Sequence, residues 1–317
     1  MNCRFEYKAY VRTFRRPLVT AHGSWRRRRG IIIRLEDGDG RFGFGEIAPM
    51  PPFGTESLRA SLQWCENMSP VLDADRPVPE TLPCCQVAVR AALDQMLGAV
   101  SRHTFPVASL ISGQADLEKK QDLGFHTFKV KVGVFDRGRE FDWIDQLAGA
   151  LRDSHHLRLD ANGGLDAGGL VRWLDFLEGK PVEYFEQPLP KGRETGILEA
   201  SRGYGTPIAL DESVARSKDL QLWADWPGPL VIKPSILGHL KGAVPPGAVG
   251  SSVFETSFGY EAALQFLARH QTSEKPIGFS TEEFLREDGW FIHDRGPRVS
   301  AGVVTSEDLQ VLWESRK

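Results

Sequence analysis

Asp160 in HLRLDAN, Glu186 in VEYFEQP and Asp211 in PIALDES each close an apolar run, and the intervals between them are 26 and 25 residues. That interval is about one strand-plus-helix unit, so the three carboxylates should end consecutive parallel strands and converge. Three hard oxygen ligands gathered in this way suit Mg2+, with the remaining positions left to water and substrate oxygens, and Mn2+ could substitute. A single strand-end carboxylate is more often a helix cap or an ion-pair partner; three in register point to a metal. Lysines stand at matching places to either side, Lys129 and Lys131 in FHTFKVKVG and Lys233 in LVIKPS. A buried charge costs several kcal/mol unless it is paired, so such a series inside Val/Ile/Leu/Phe segments is better explained by chemistry than by stability.

Lys129 and Lys131 are two apart, and strand periodicity points both side chains to one face. Alone, a KVKV segment reads as a solvent-facing strand, but in a barrel helices cover one face of the strand and packed side chains fill the other. A second ammonium and partial desolvation would lower the Lys131 pKa toward the range in which a lysine serves as a general base. A divalent ion facing such a base suits removal of a proton alpha to a carboxylate and stabilisation of the resulting enediolate. Lys233 should approach from the opposite side of the barrel mouth, as a second acid/base or as an electrostatic or cation-π partner. Asn162 and Glu212 adjoin the carboxylates and could orient them. GSSVFETSFG supplies Ser251, Ser252 and Glu255 at the rim, and PIGFS supplies Gly278; these are turn residues or places where a ligand approaches the backbone closely.

The elements that must position these groups follow from patterning. RFEYKAYVRTF alternates like a strand, GIIIRLEDGDGRFGFGEIAP reads as a hairpin turning at 36–40, and helical stretches follow near 55–68 and 84–99, which together make a small α+β domain over residues 1–100. From about 105 the pattern becomes strand, helix, strand, helix. Strands are expected near 106–111, 125–132, 156–161, 182–187, 207–212, 230–234, 247–254 and 275–279. The fold class is therefore α/β, a (β/α)8-type barrel over 101–280 behind an N-terminal α+β capping domain. The connection 234–247 is too short for a full helix. The segment 281–317, with WFIHDRGPRVS and SEDLQVLWESRK, is expected to rejoin the N-terminal domain in part. Gly38, Gly40 and Gly43 match a dinucleotide-binding spacing, but they lie in a hairpin that leads into FGEIAP and not into a helix, which argues against it.

Composition narrows the classes further. With 317 residues, 41% hydrophobic content, mean hydropathy −0.29, net charge −3 and pI near 6.3, the chain has no general attraction for nucleic acid or anionic membrane. Arg26–Arg29 is a short basic run, either a solvated loop or an aid to holding a carboxylate substrate. The cysteines Cys3, Cys65, Cys84 and Cys85 suit neither a disulfide framework nor a zinc site, and no signal peptide or membrane span is expected, so a cytoplasmic location fits. A monomer is compatible with all of this.

KVK at 129–131, DAN at 160–162, EQP at 186–188, DES at 211–213 and KPS at 233–235 together resemble the active-site series of the enolase superfamily, in its muconate-lactonizing subgroup. GFGEIAPMPPFGTES resembles the segment after the mobile loop of that family's capping domain, and TLPCCQVAVRAALDQMLG its last helix. The resemblance implies an Mg2+-dependent lyase in which Lys131 removes the alpha proton and returns it to a departing hydroxyl. It further implies that Lys129 tunes Lys131, that Asp160, Glu186 and Asp211 hold the metal, and that Lys233 stabilises the enediolate from the other face. LRLDAN, SSVFETSFG and the compact C-terminal part resemble members that dehydrate a succinyl-substituted hydroxycyclohexadiene carboxylate to an aromatic dicarboxylate in menaquinone biosynthesis. Arg158 matches an arginine of some such enzymes, and Thr20–Gly30 corresponds to the family's substrate-covering loop, with HGSWRRRRG departing from its usual forms. Racemisation of N-acylamino acids or epimerisation of dipeptides by the Lys131/Lys233 pair is the nearest alternative. Muconate cycloisomerisation and a non-catalytic carboxylate-binding barrel are more remote ones.

Overall fold

The computed structural model describes residues 1–20, 23–270 and 274–316. Its N-terminal part is α+β. Strands β1 (Asn2–Thr20), β2 (Gly23–Glu36) and β3 (Phe42–Ile47) are followed by α1 (Leu58–Met68), β4 (Val71–Asp73) and α2 (Pro83–Met96), with sheet order β3-β2-β1-β4. Alternation in β1 and β2 buries Phe5, Ile31, Ile33 and Leu35 against the helices, together with the four cysteines, which are all free thiols. Gly43 and Gly45 set the close approach of α2 to β3. A Cβ there would meet Ala92 O at 2.1 Å and Ala88 O at 2.0 Å, so these glycines have a packing role and form no phosphate loop.

Eight parallel strands follow: β5 (His103–Leu110), β6 (Thr127–Lys131), β7 (His156–Asp160), β8 (Val182–Glu186), β9 (Ile208–Ala209), β10 (Val231–Ile232), β11 (Val249–Gly250) and β12 (Ile277–Ser280). The ladder β12-β5-β6-β7-β8-β9 and the pair β10-β11 join through the bridges Leu210↔Leu230 and Ser251↔Gly278, which closes the ring. Between the strands lie α3 (Gln114–Asp122), α4 (Arg137–Gly149), α5 (Ala167–Leu177), α6 (Glu194–Ser201), the six-residue α7 (Ser217–Leu222) and α8 (Ser257–Arg269). β10 and β11 are joined by no full helix, only a 3-10 turn at Pro234–Ile236. Helix α5 shows why these segments fold as they do. Leu170, Trp173, Leu174 and Leu177 form one buried stripe, and the Asp166 side chain caps the first turn by accepting from Gly169 N at 2.6 Å.

The C-terminal segment divides its attachment. β13 (Arg298–Ala301), the only strand formed within WFIHDRGPRVS, pairs antiparallel with β5 of the barrel and not with the N-terminal sheet. α9 (Ser306–Glu314) instead lays Leu309, Leu312 and Trp313 on Tyr10, Ile32 and Phe44 of that sheet, with Phe258 of α8 in the same cluster.

Glu46 of β3 ties the sheet to the barrel. Its carboxylate accepts from Thr256 N and Gly259 N at the start of α8, and from the hydroxyls of Thr256 and Tyr10. Burial pushes this carboxyl up to about 7, because desolvation outweighs the hydrogen bonds that favour its charge. A folded-state pKa above the unfolded value stabilises fully below about 4.5, and the stabilisation is lost as pH rises through about 7. Glu46→Gln should therefore gain on wild type by roughly 1–3 kcal/mol in unfolding free energy between pH 5 and pH 8. Urea titrations at the two pH values check this, and parallel behaviour of the two proteins would refute it.

Candidate active site

Register places the chemistry in layers. Across β6, β7 and β8 the aligned residues are Lys131, Asp160 and Glu186, and two residues deeper Lys129, Arg158 and Tyr184. Alternation turns both sets inward. Asp211 follows β9 and Lys233 follows β10, and all of these residues line a single cavity at the C-terminal ends of the strands. Asn162, Ser251, Ser252 and Gly278 line it too. Its remaining wall is largely apolar, including Trp25, Met50, Phe53, Val253 and Phe254.

The charged groups are interlocked. Lys131 Nζ donates to Asp160 Oδ2 and Asn162 Oδ1, at 2.7 Å each. Lys129 Nζ lies 2.7 Å from the same Asp160 Oδ2 and 2.6 Å from Glu186 Oε1. Lys233 Nζ bonds Asp211 Oδ1 and lies 4.6 Å from the centroid of the Phe53 ring. Burial opposes the Lys129 charge, yet Asp160 and Glu186 together hold its pKa above the ordinary lysine value. Asp160 is likewise buried, but two ammoniums hold it below the usual carboxylate range. Glu186 shifts the other way, because burial and the Asp160 charge outweigh the Lys129 and Lys233 ammoniums. Burial lowers Lys233 to about 7.

Among the described residues no three His, Cys, Asp or Glu side chains are gathered at metal-ligand spacing. Asp160, Glu186 and Asp211 each lie against a lysine instead. Their chemistry still fits a hard divalent cation. All three are carboxylates in one cavity, and Glu186 Oε2 is buried with no hydrogen-bond partner, the kind of orphaned acceptor a cation satisfies.

Other expected residues sit less simply. Arg158 lines the cavity and is 1% exposed, but Nε is engaged by Glu183 Oε2 at 2.7 Å and Nη1 by Pro276 O at 2.6 Å, with the guanidinium 4.7 Å from the Tyr184 ring centroid. Its Nη2 has no partner. Ser252 donates its hydroxyl to Glu255, and Glu255 is fully buried, not at the rim, where it also accepts from Ser235 and from Val253 N. Glu212 does not line the cavity; it accepts from Asn162 Nδ2 at 3.1 Å and so fixes the amide that holds Lys131. A Cβ on Gly278 would meet Ser251 Oγ at 3.1 Å, so the glycine keeps that wall open.

The basic run is a correction. Arg26–Arg29 is not a loop, for it belongs to β2; Arg26, Arg27 and Arg29 are exposed, whereas Arg28 is buried with its donors spent on backbone carbonyls of Val253, Ala48, Pro49 and Arg29. Within Thr20–Gly30, residues 21 and 22 lie outside the described residues, and the rest is strand. Cavity residues absent from the expectation are Trp25, Met50, Phe53, Ala108, Leu110, Tyr184, Val231, Val249, Gly250, Val253, Phe254, Ser280 and Thr281. Tyr184 was findable, since it stands two residues before Glu186 on the same strand face.

A closed barrel with this lysine and carboxylate series, beneath an α+β cap, is the architecture of the enolase superfamily. Residues 114–234 match the family model described as Enolase C-terminal domain-like. The o-succinylbenzoate synthase of Thermosynechococcus vestitus is 36% identical over 89% of this chain and 93% of its own length, and that of Pectobacterium atrosepticum is 32% identical over 91% and 92%. The chain belongs to the o-succinylbenzoate synthase family. A crystal structure of the Thermosynechococcus elongatus enzyme, complexed with Mg in the active site, superposes with a TM-score of 0.80 over 98% of this chain and 99% of that one, at 32% identity. The L-Ala-D/L-Glu epimerase of Bacillus subtilis shares the fold, with a TM-score of 0.73 over 94% of this chain and 95% of that one at 22% identity. Among the described residues no helix is long and apolar enough to cross a membrane.

Proposed function

We propose that the chain converts 2-succinyl-6-hydroxy-2,4-cyclohexadiene-1-carboxylate to 2-succinylbenzoate and water, as a lyase of menaquinone biosynthesis. The observation that carries this is the opposition of Lys131 and Lys233 across one cavity. They end β6 and β10, four places apart in the eight-stranded ring, with the carboxylate trio on the strands between. Asp160, Glu186 and Asp211 would hold Mg2+, with Mn2+ acceptable to the same oxygens, and the bound ion would supply Lewis-acid stabilisation of negative charge on the substrate carboxylate.

The chain's own residues do the rest. Lys131 Nζ takes the proton from the carbon alpha to the carboxylate and then delivers it to the hydroxyl as the C–O bond breaks, so that water departs and the ring becomes aromatic. Asn162, held by Glu212, orients Lys131 by accepting from its ammonium. Lys129, fixed between Asp160 and Glu186, keeps positive charge beside the base. Lys233, packed on Phe53, faces the developing enolate from the other wall. Arg158 is assigned to a substrate carboxylate, with Ser251, Ser252 and Gly278 shaping the opposite wall. Residues 1–100 serve as cap and 101–280 as catalytic barrel, in a cytoplasmic protein.

Loss of the cyclohexadiene absorbance on adding protein and Mg2+, abolished by EDTA, is the expected result. No loss with folded, Mg2+-loaded protein would refute the dehydration. The same opposed lysines favour a second activity, racemisation of N-succinylamino acids, in which one lysine removes the alpha proton and the other replaces it on the opposite face. Deuterium incorporation at the alpha carbon of such a substrate in D2O tests that.

A further inference from the structure

One ring in the cavity wall stands in a backbone conformation that its residue type rarely takes. Phe254 has φ of 63°, in the left-handed region, which is disfavoured for a bulky side chain and persists only where the surroundings enforce it. Here two guanidiniums enforce it from the capping hairpin. Arg28 Nε donates to Val253 O at 2.8 Å, and Arg12 Nη1 donates to Glu255 O at 2.7 Å, so the carbonyls of the residues before and after Phe254 are both held. The Phe254 N–H donates to Ser252 Oγ at 3.0 Å, and the Glu255 carboxylate grips Val253 N at 2.8 Å. Both arginines are buried, and their other donors are committed. Those of Arg28 go to Ala48, Pro49 and Arg29 carbonyls, and those of Arg12 to Glu282 and Asp288. The Phe254 ring meets Phe14 of β1 edge-on at 5.0 Å and lines the active-site cavity beside Trp25.

A glycine at 254 would adopt this φ without strain, but it would bring no ring. Strain retained to present an aromatic side chain at a substrate cavity is a sign of function. We infer that Phe254 is a specificity-determining residue that stacks on or abuts the six-membered ring of the substrate, and that Arg12 and Arg28 are positioning residues that hold it there. This rests on the dehydration proposed above and deepens it. A diene ring that becomes flat and aromatic in the product offers an aromatic wall a matching surface, whereas the extended chain of an N-acylamino acid does not. It also gives the arginine run a task, because Arg28 acts on the substrate through Phe254 and makes no direct contact with it.

The test is steady-state kinetics on the cyclohexadiene substrate, with calorimetric binding of 2-succinylbenzoate. Phe254→Leu should raise KM and product Kd by about tenfold while kcat stays within about threefold, and Phe254→Tyr, which keeps the ring, should restore both. Arg28→Met should raise KM alike, and Arg28→Met/Phe254→Leu should be no worse than Phe254→Leu alone. If Arg28→Met fails to fold, Arg28→Lys, which retains only part of the donor set, is read in the same cycle. An unchanged KM in Phe254→Leu, or additive losses in the double variant, would overturn the inference while leaving the dehydration intact. Wild-type protein that neither turns over the substrate nor binds product would overturn both.

Discussion

Lys131→Ala is expected to lose at least about 10³-fold in kcat while its far-UV circular dichroism and unfolding transition stay close to wild type. The two halves of this expectation have separate grounds. Catalysis should collapse because no other side chain on β6 can take the alpha proton from that wall; Lys129 is held by two carboxylates. The fold should survive because the Lys131 side chain is 27% exposed in the cavity and its two contacts are Asp160 and Asn162, with Asp160 keeping its bond to Lys129 after the truncation. Lys129→Ala is the informative contrast. It leaves Asp160 and Glu186, adjacent in register on neighbouring strands, without the ammonium between them, so stability should fall together with activity. Exchange of the alpha proton of a substrate analogue into D2O gives a readout independent of dehydration, and Lys131→Ala should abolish it. A variant that keeps kcat within tenfold of wild type would remove Lys131 from the role of base.

The barrel's charged residues were legible because each is an anomaly in its own segment. A carboxylate or ammonium at the end of a Val/Leu/Phe run has no stability rationale, and recurrence at 25–26 residues matches one βα unit. Strand lengths were less so. β9, β10 and β11 have two ladder residues each, because their expected continuations turn at Asp211, Lys233 and Ser251 to present side chains to the cavity. The roof was hardly visible. Four consecutive arginines look alike in sequence, and only the pairing of β2 with β1, together with docking on the barrel, selects Arg28 for burial against a carbonyl 225 residues away. Trp25, Phe53 and Phe254 reach the cavity from three separate segments, and no periodicity in any one of them announces a shared wall. Glu46 was hidden for a similar reason. In FGFGEIAP it reads as a strand residue near a turn, and its partners Thr256 and Gly259 lie some 210 residues on.

Asp160→Asn should be as damaging to turnover as loss of the base, and it should leave a mark on the protein even without substrate. Asp160 Oδ2 serves the Lys129 and Lys131 ammoniums together, and Oδ1 accepts from Asn162 N at 3.0 Å. An amide of the same shape keeps one acceptor but removes the charge that offsets two partly buried cations, and breaking one side of such a group typically costs several kcal/mol. Lys129 retains Glu186 and Lys131 retains Asn162, so the variant should fold, with a lowered Tm. The second effect concerns the cation. Whatever binds the native state and not the unfolded chain raises Tm, by an amount that grows with the logarithm of its concentration over Kd. Wild-type Tm should therefore climb as Mg2+ is added in the millimolar range, whereas Asp160→Asn, with one carboxylate fewer and two ammoniums less well neutralised, should show little or no rise and no recovery of turnover at high Mg2+. Equal Mg2+-dependent rises in the two proteins would mean that Asp160 is not a ligand, and the Asp160, Glu186, Asp211 assignment would have to be abandoned even if activity were lost.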